Sequence, residues 1–269
     1  MAGEDDPSYR REVRVGPDSV LLLAVAGIAS GLAGSIAGLA SLFSYPALLA
    51  AGLPPVAANV TNTVALFANT AGTAAGSREE LRGQRGRLLH LSILAAAGGC
   101  VGAALLLGTP ASAFSRVVPW LIALGSVLIL VREPLRRLAE RHTMLTDGGP
   151  RVNTPLAGAV LLVGLYGGYF GAAAGVLMLA VLSLSGSEPL RVTNAVKNIA
   201  TGAANVTAAV AYAFLAPVDW AAAAALGLGC LLGSRVGPVV VRRLPERPLR
   251  ITIALAGLAL AVSLWRQGS

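Results

Sequence analysis

Residues 30–41, SGLAGSIAGLAS, sit in the middle of an apolar run that extends from about residue 19 to 52. As one helix such a run would measure about 50 Å, well beyond the roughly 30 Å of a bilayer's hydrocarbon, yet two full crossings need about 40 residues. The run is too long for one span and too short for two, so it is expected to break. Glycine permits the backbone angles of a turn and the close approach of another segment, which places the break in this stretch. A second long run, 155–187, carries GLYGGYFGAAAG at 164–175 and reads the same way. The competing reading is a pair of long tilted helices that use glycine only for packing.

Around these two stretches the chain is 269 residues long, 55% hydrophobic and 13% charged, with 32 glycines and a mean hydropathy of +0.71. A soluble domain of this size needs far more charge to cover its surface. The fold class expected is all-α, a polytopic membrane protein. Small residues suit helices that pack closely in lipid. The remaining apolar runs lie near 56–77, 88–108, 114–131, 190–215, 218–241 and 248–265, giving about eight main transmembrane helices with two glycine-broken segments. The polar stretch before residue 19 shows no signal-peptide pattern. The net charge of +8 belongs to arginines in short loops, where it sets orientation rather than binding nucleic acid. Cys100 and Cys230 fall inside apolar runs and read as packing residues.

Shifting the sequence by 134 positions aligns Gly34 with Gly168, Gly52 with Gly186, Pro55 with Pro189, Gly99 with Gly233 and Arg116 with Arg250. The order of long run, short proline turn and three further runs is shared. We read an extramembrane tail at 1–18, one membrane repeat at 19–131, a linker at 132–154 and a second repeat at 155–266. The loop at 78–87 holds Arg78, Arg82, Arg85 and Arg87, whereas its counterpart at 212–221 holds none. The loop near 109–116 has one arginine, and its counterpart has Arg242, Arg243, Arg247 and Arg250. Since arginine-rich loops face the cytoplasm, the repeats are expected to be inverted. Inversion needs an odd number of crossings per repeat, which three ordinary helices plus a re-entrant segment supply. Both termini then face away from the cytoplasm.

Lys197 is the single lysine, against twenty arginines. It lies inside the run 190–215, with Asn194, Asn198, Thr201 and Asn205 at helical spacings of three and four. The counterpart run presents Asn59, Asn62, Thr63, Asn69, Thr70 and Thr73. Two polar stripes in a bilayer imply a shared polar interior, and an ionisable residue at that depth marks function. All thirteen acids lie in the tail, the loops or the ends of runs, leaving no carboxylate to neutralise the ammonium. Such a site, with amide and hydroxyl donors, glycine-exposed backbone N–H groups and half-helix N-termini, suits an anion. Snorkelling to the interface, or a structural bond to backbone carbonyls, is the plainer account of Lys197. Arg235 is expected to reach the interface, and His90 and His142 have no metal-ligand company. The chain lacks HExxH and a membrane-embedded base for a hydrolase, so no catalytic residue, metal or cofactor is expected.

The segments AAGLPPVAANVTNTVALFANTAG (50–72), SGSEPLRVTNAVKNIATGAANVTAAVAYAF (185–214) and GLGCLLGSRVGPVVVRRLP (227–245) resemble the sulfite exporter TauE/SafE family of membrane permeases. The resemblance covers about residues 20–265, although GSIAGLAS stands where more consecutive glycines are usual. It implies a secondary transporter, acting as an exporter of sulfite, sulfonates or related small anions across the bacterial inner membrane. By position it places Asn62, Thr63, Lys197, Asn198 and Asn205 near the substrate. With the residue pattern, the expected substrate-binding set is Lys197, Asn198, Asn194, Thr201, Asn205, Asn62, Thr63, Asn69, Gly34 and Gly168. The partners expected are a small anion, the bilayer and, as an option, further copies of the chain. The alternatives are a membrane subunit that transports nothing and an intramembrane enzyme acting on an anionic lipid.

Overall fold

The structure, a computed structural model, describes residues 17–76, 80–131, 153–183 and 189–241, together with 251, 255, 258–259 and 261–266. The linker reading at 132–154 and the arginines at 242–250 fall almost wholly outside these residues. Ten helices are delimited: α1 Pro17–Ala37, α2 Ser41–Ala50, α3 Pro55–Ala65, α4 Phe67–Gly76, α5 Arg85–Leu107, α6 Ala111–Leu130, α7 Thr154–Tyr169, α8 Ala174–Ser183, α9 Leu190–Leu215 and α10 Trp220–Val241. A C-terminal helical segment includes residues 261–266.

Both long glycine-rich runs break. Gly38 (φ +71°) ends α1 and Gly171 (φ +76°) follows α7, each in the left-handed region where only glycine is free of a Cβ penalty. After the first break the chain folds back on itself. The Ser30 hydroxyl donates to the Ala40 carbonyl at 2.7 Å, and a Cβ at Gly34 would lie 2.8 Å from that of Ala40. After the second break, the Tyr166 hydroxyl donates to the Ala172 carbonyl at 2.7 Å.

A further interruption, at Leu66, divides the run read as one helix over 56–77 into α3 and α4. Thr63 and Thr70 donate their hydroxyls to the carbonyls of Asn59 and Leu66, and Thr73 does so to Asn69. Such back-bonding competes with the helix's own ladder and bends it.

Glycine seams set the packing. A Cβ on Gly27 or Gly31 of α1 would overlap the backbone of α10 at Leu226 and Cys230, and one on Gly229 or Gly233 would overlap α1. Gly98 and Gly102 of α5 meet α7 at Leu161 and Leu165 in the same way, answered by Gly164 and Gly168. Backbones thus touch directly, the close packing that lipid, lacking a hydrophobic drive between helices, rewards. α9 runs through the centre against α3, α4, α5, α7 and α8.

Large apolar side chains remain exposed along the flanks, among them Leu21, Val25, Leu89, Ile93, Trp120, Leu162, Phe214 and Leu228. In water such a girdle would aggregate; in a bilayer it is the lipid-facing surface. Among the described residues Arg85–Leu107, Ala111–Leu128 and Val192–Leu215 are long and apolar enough to cross a membrane. The chain is an all-helical, multi-pass membrane protein.

Candidate functional site

The two breaks meet at the middle of the protein. A Cβ on Gly38 would lie 2.8 Å from the Gly175 Cα, so the chain passes there backbone against backbone. Beside this crossing opens a cavity of about 80 Å³, room for a handful of waters or one small solute.

Three kinds of wall enclose it. From α3 and α4 come Asn62, Thr63, Asn69, Thr70 and Thr73, and from α9 come Asn198, Thr201, Gly202 and Asn205. The breaks supply Gly38, Ala40 and Ser41 on one side and Phe170, Gly171, Ala174 and Gly175 on the other. Phe170 is held from behind by aromatic contacts with Tyr45, ring centroids 5.2 Å apart, and with Phe114 at 6.2 Å. Asn205 ties the walls together by donating Nδ2 to the Thr63 carbonyl at 3.0 Å.

The wall is lined by amides, hydroxyls and backbone N–H groups. The Oδ1 atoms of Asn62 and Asn69 are enclosed and have no hydrogen-bond partner among the described residues, so both lining amides keep unmet hydrogen-bonding capacity beside the opening. The starts of α2 and α8 both stand in the wall. Leu42, Phe43 and Ser44 donate their N–H groups to Leu39 and Ala40, and Ala174, Val176 and Leu177 donate to Gly171 and Ala173. The N–H groups of Ser41 and Gly175 make no backbone bond among the described residues. Helix starts carry partial positive charge as well as unsatisfied donors, and here two of them share one small space. Such an arrangement can hold oxygen atoms of an anion.

Of the residues singled out from sequence, Asn62, Thr63, Asn69, Gly34, Asn198, Thr201 and Asn205 line this cavity, and Lys197, Asn194 and Gly168 do not. Lys197 is completely buried, with Nζ 3.4 Å from where a Gly38 Cβ would stand. It lies behind the crossing, just past the C-terminal end of α1, where the helix dipole is negative and favours a cation. The reason is rotational: at 100° per residue Lys197 is turned away from the face shared by Asn198, Thr201 and Asn205. Asn194 points the same way as Asn198 but sits one turn, about 6 Å, further toward the helix start. Gly168 is occupied in packing against Gly99, and its carbonyl accepts the Tyr212 hydroxyl. Arg235 is exposed on α10 and outside the cavity. His90 is exposed near the start of α5, and His142 lies outside the described residues.

Sequence reasoning did not single out Ser41 and Gly175. The signal was there, because these positions are related by the same 134-residue shift that aligns the two long runs. Reading it required knowing that each break would leave a helix start facing inward.

The sequence profile of the family described as Sulfite exporter TauE/SafE matches residues 22–264. A probable membrane transporter protein, ORF9 from Sinorhizobium sp, is 30% identical over 247 residues, covering 90% of each chain. The probable membrane transporter protein YfcA of Escherichia coli (strain K12) is 27% identical over 257 residues, 91% of this chain and 90% of its own. No solved structure matches at a significant level. With its profile match running through nearly every helix that walls the cavity, the chain belongs to the sulfite exporter TauE/SafE family and is a membrane transporter.

Proposed function

We propose that this protein is a secondary transporter of a small anion, with sulfite and simple sulfonates the first candidates, and that the cavity at the crossing is its binding site. The observation that carries this reading is the pair of helix starts at Ser41 and Gly175, residues that wall one small cavity together with Asn62, Asn69 and Asn198. Half-helix starts aimed at a midplane site are a recurrent way for transporters to hold anionic groups. Among the described residues no carboxylate or other charged side chain lines the wall, so its hydroxyls have no side-chain base beside them, which argues for carriage rather than catalysis. Lys197 acts from behind the wall, as a fixed positive charge that favours an anion without touching it. The two repeats read from sequence are the units proposed to rock about this site, inverted relative to one another, with the cavity on their shared axis.

The test is solute counterflow in proteoliposomes with labelled sulfite and a short alkylsulfonate, comparing the unaltered protein with Asn62→Asp. A carboxylate in that wall repels an anion, so flux should fall by at least tenfold while the melting temperature holds. Undiminished or increased anion flux in Asn62→Asp would overturn the reading.

A further inference from the structure

A separate opening, about 360 Å³, lies on the outer flank between the first turns of α6 and the C-terminal helical segment. Ser112, Arg116 and Trp120 form one side of it, and Leu264 and Trp265 the other. α6 has 20 residues, about 30 Å, which matches the hydrocarbon thickness, and Arg116 lies about 8 Å from its start. At that depth an arginine carries its guanidinium up to the headgroup layer along its own aliphatic stem. Arg116 and Ser112 are exposed, and among the described residues no acid lines the opening, so this lining is positively charged. Trp120 and Trp265 are 67% and 56% exposed, and below them Leu124 and Val127 continue an apolar stripe down the same helix.

This combination fits one kind of occupant. A guanidinium matches a phosphate with paired N–H donors, the serine adds a donor at the polar level, and tryptophans prefer the boundary between headgroups and chains. A soluble anion would leave the two indole faces wet; an acyl chain covers them. A zwitterionic headgroup brings its own cation toward Arg116, whereas an anionic one does not. We propose that this opening binds the headgroup of an anionic phospholipid, with its phosphate on Arg116 and the upper part of a chain between Trp120 and Trp265.

The chain has three tryptophans, and Trp220 lies on α10, so a Trp220→Phe protein reports on Trp120 and Trp265 alone. In vesicles of the full-length protein, phosphatidylglycerol with brominated chains should quench this fluorescence at a mole fraction at least threefold below that needed by brominated phosphatidylcholine. Adding Arg116→Gln should abolish the difference, and Arg116→Lys should keep part of it. Equal quenching by the two lipids, or a preference that survives Arg116→Gln, would overturn the proposal. Displacement of the brominated lipid by millimolar inorganic phosphate would also overturn it, by showing that the site prefers a free anion.

Discussion

The two glycine-broken segments make the same turn by the same means, yet their helix ends are finished differently. At the end of α7 neutral groups serve: the Tyr212 hydroxyl donates to the Gly168 carbonyl, and the Asn59 amide to the Tyr169 carbonyl at 2.9 Å. At the end of α1 stands the Lys197 ammonium. The first end is met by neutral donors, whereas the second has a full charge beside it and beside the cavity. The comparison teaches that shared backbone geometry can frame a site whose electrical asymmetry comes from one residue.

The harshest way to break the comparison is to add a side chain where the segments cross. Gly38→Val combines a left-handed backbone with overlap on Gly175, so a cost of several kcal/mol is expected. Monodisperse yield on size exclusion should collapse. Gly171→Val meets only the Gly167 carbonyl of its own segment, at 2.9 Å, and should retain more folded protein. Equal loss in both would remove the distinction between crossing and turn.

Next in size is the charge itself. A unit charge a few ångströms behind the wall is worth on the order of 1–3 kcal/mol at an effective dielectric near 20. Lys197→Met should therefore weaken anion binding about 10–100-fold in a thermal-shift titration. Lys197→Arg should not restore it, because the larger guanidinium does not fit a completely buried position. Unchanged affinity in Lys197→Met would reduce the ammonium to a structural cap.

The neutral end should respond in stability more than in binding. Tyr212→Phe leaves the buried Gly168 carbonyl without its hydroxyl and should cost about 1–3 kcal/mol, read as a melting temperature several degrees lower with anion affinity within twofold. The smallest effect is expected from Thr201→Val. Its hydroxyl bonds only the Lys197 and Asn198 carbonyls one turn back in α9, so its loss should change binding by less than about 1 kcal/mol.

Much of this arrangement is legible in the sequence. Run length against bilayer thickness demanded the breaks, and Gly38 and Gly171 lie within the two stretches chosen for them. The Asn and Thr stripes gave eight cavity-lining positions because spacings of three and four identify a helix face. Lys197 belongs to the stripe without lining the cavity because such a stripe is wide: it stands at the edge of the arc that Asn198 and Thr201 occupy. The interruption at Leu66 escaped notice because the hydroxyls that cause it also read as ordinary polar wall residues. The helix starts at Ser41 and Gly175 act through main-chain N–H groups, which no side-chain pattern advertises.

The three rings of Tyr45, Phe170 and Phe114, packed edge-on and tilted, carry a kinetic consequence. Phe170 is both cavity wall and the middle of that cluster, so any passage opened on this side would have to part an interlocked aromatic bolt. The tempo of that unlatching, more than the grip on the cargo, would then govern turnover.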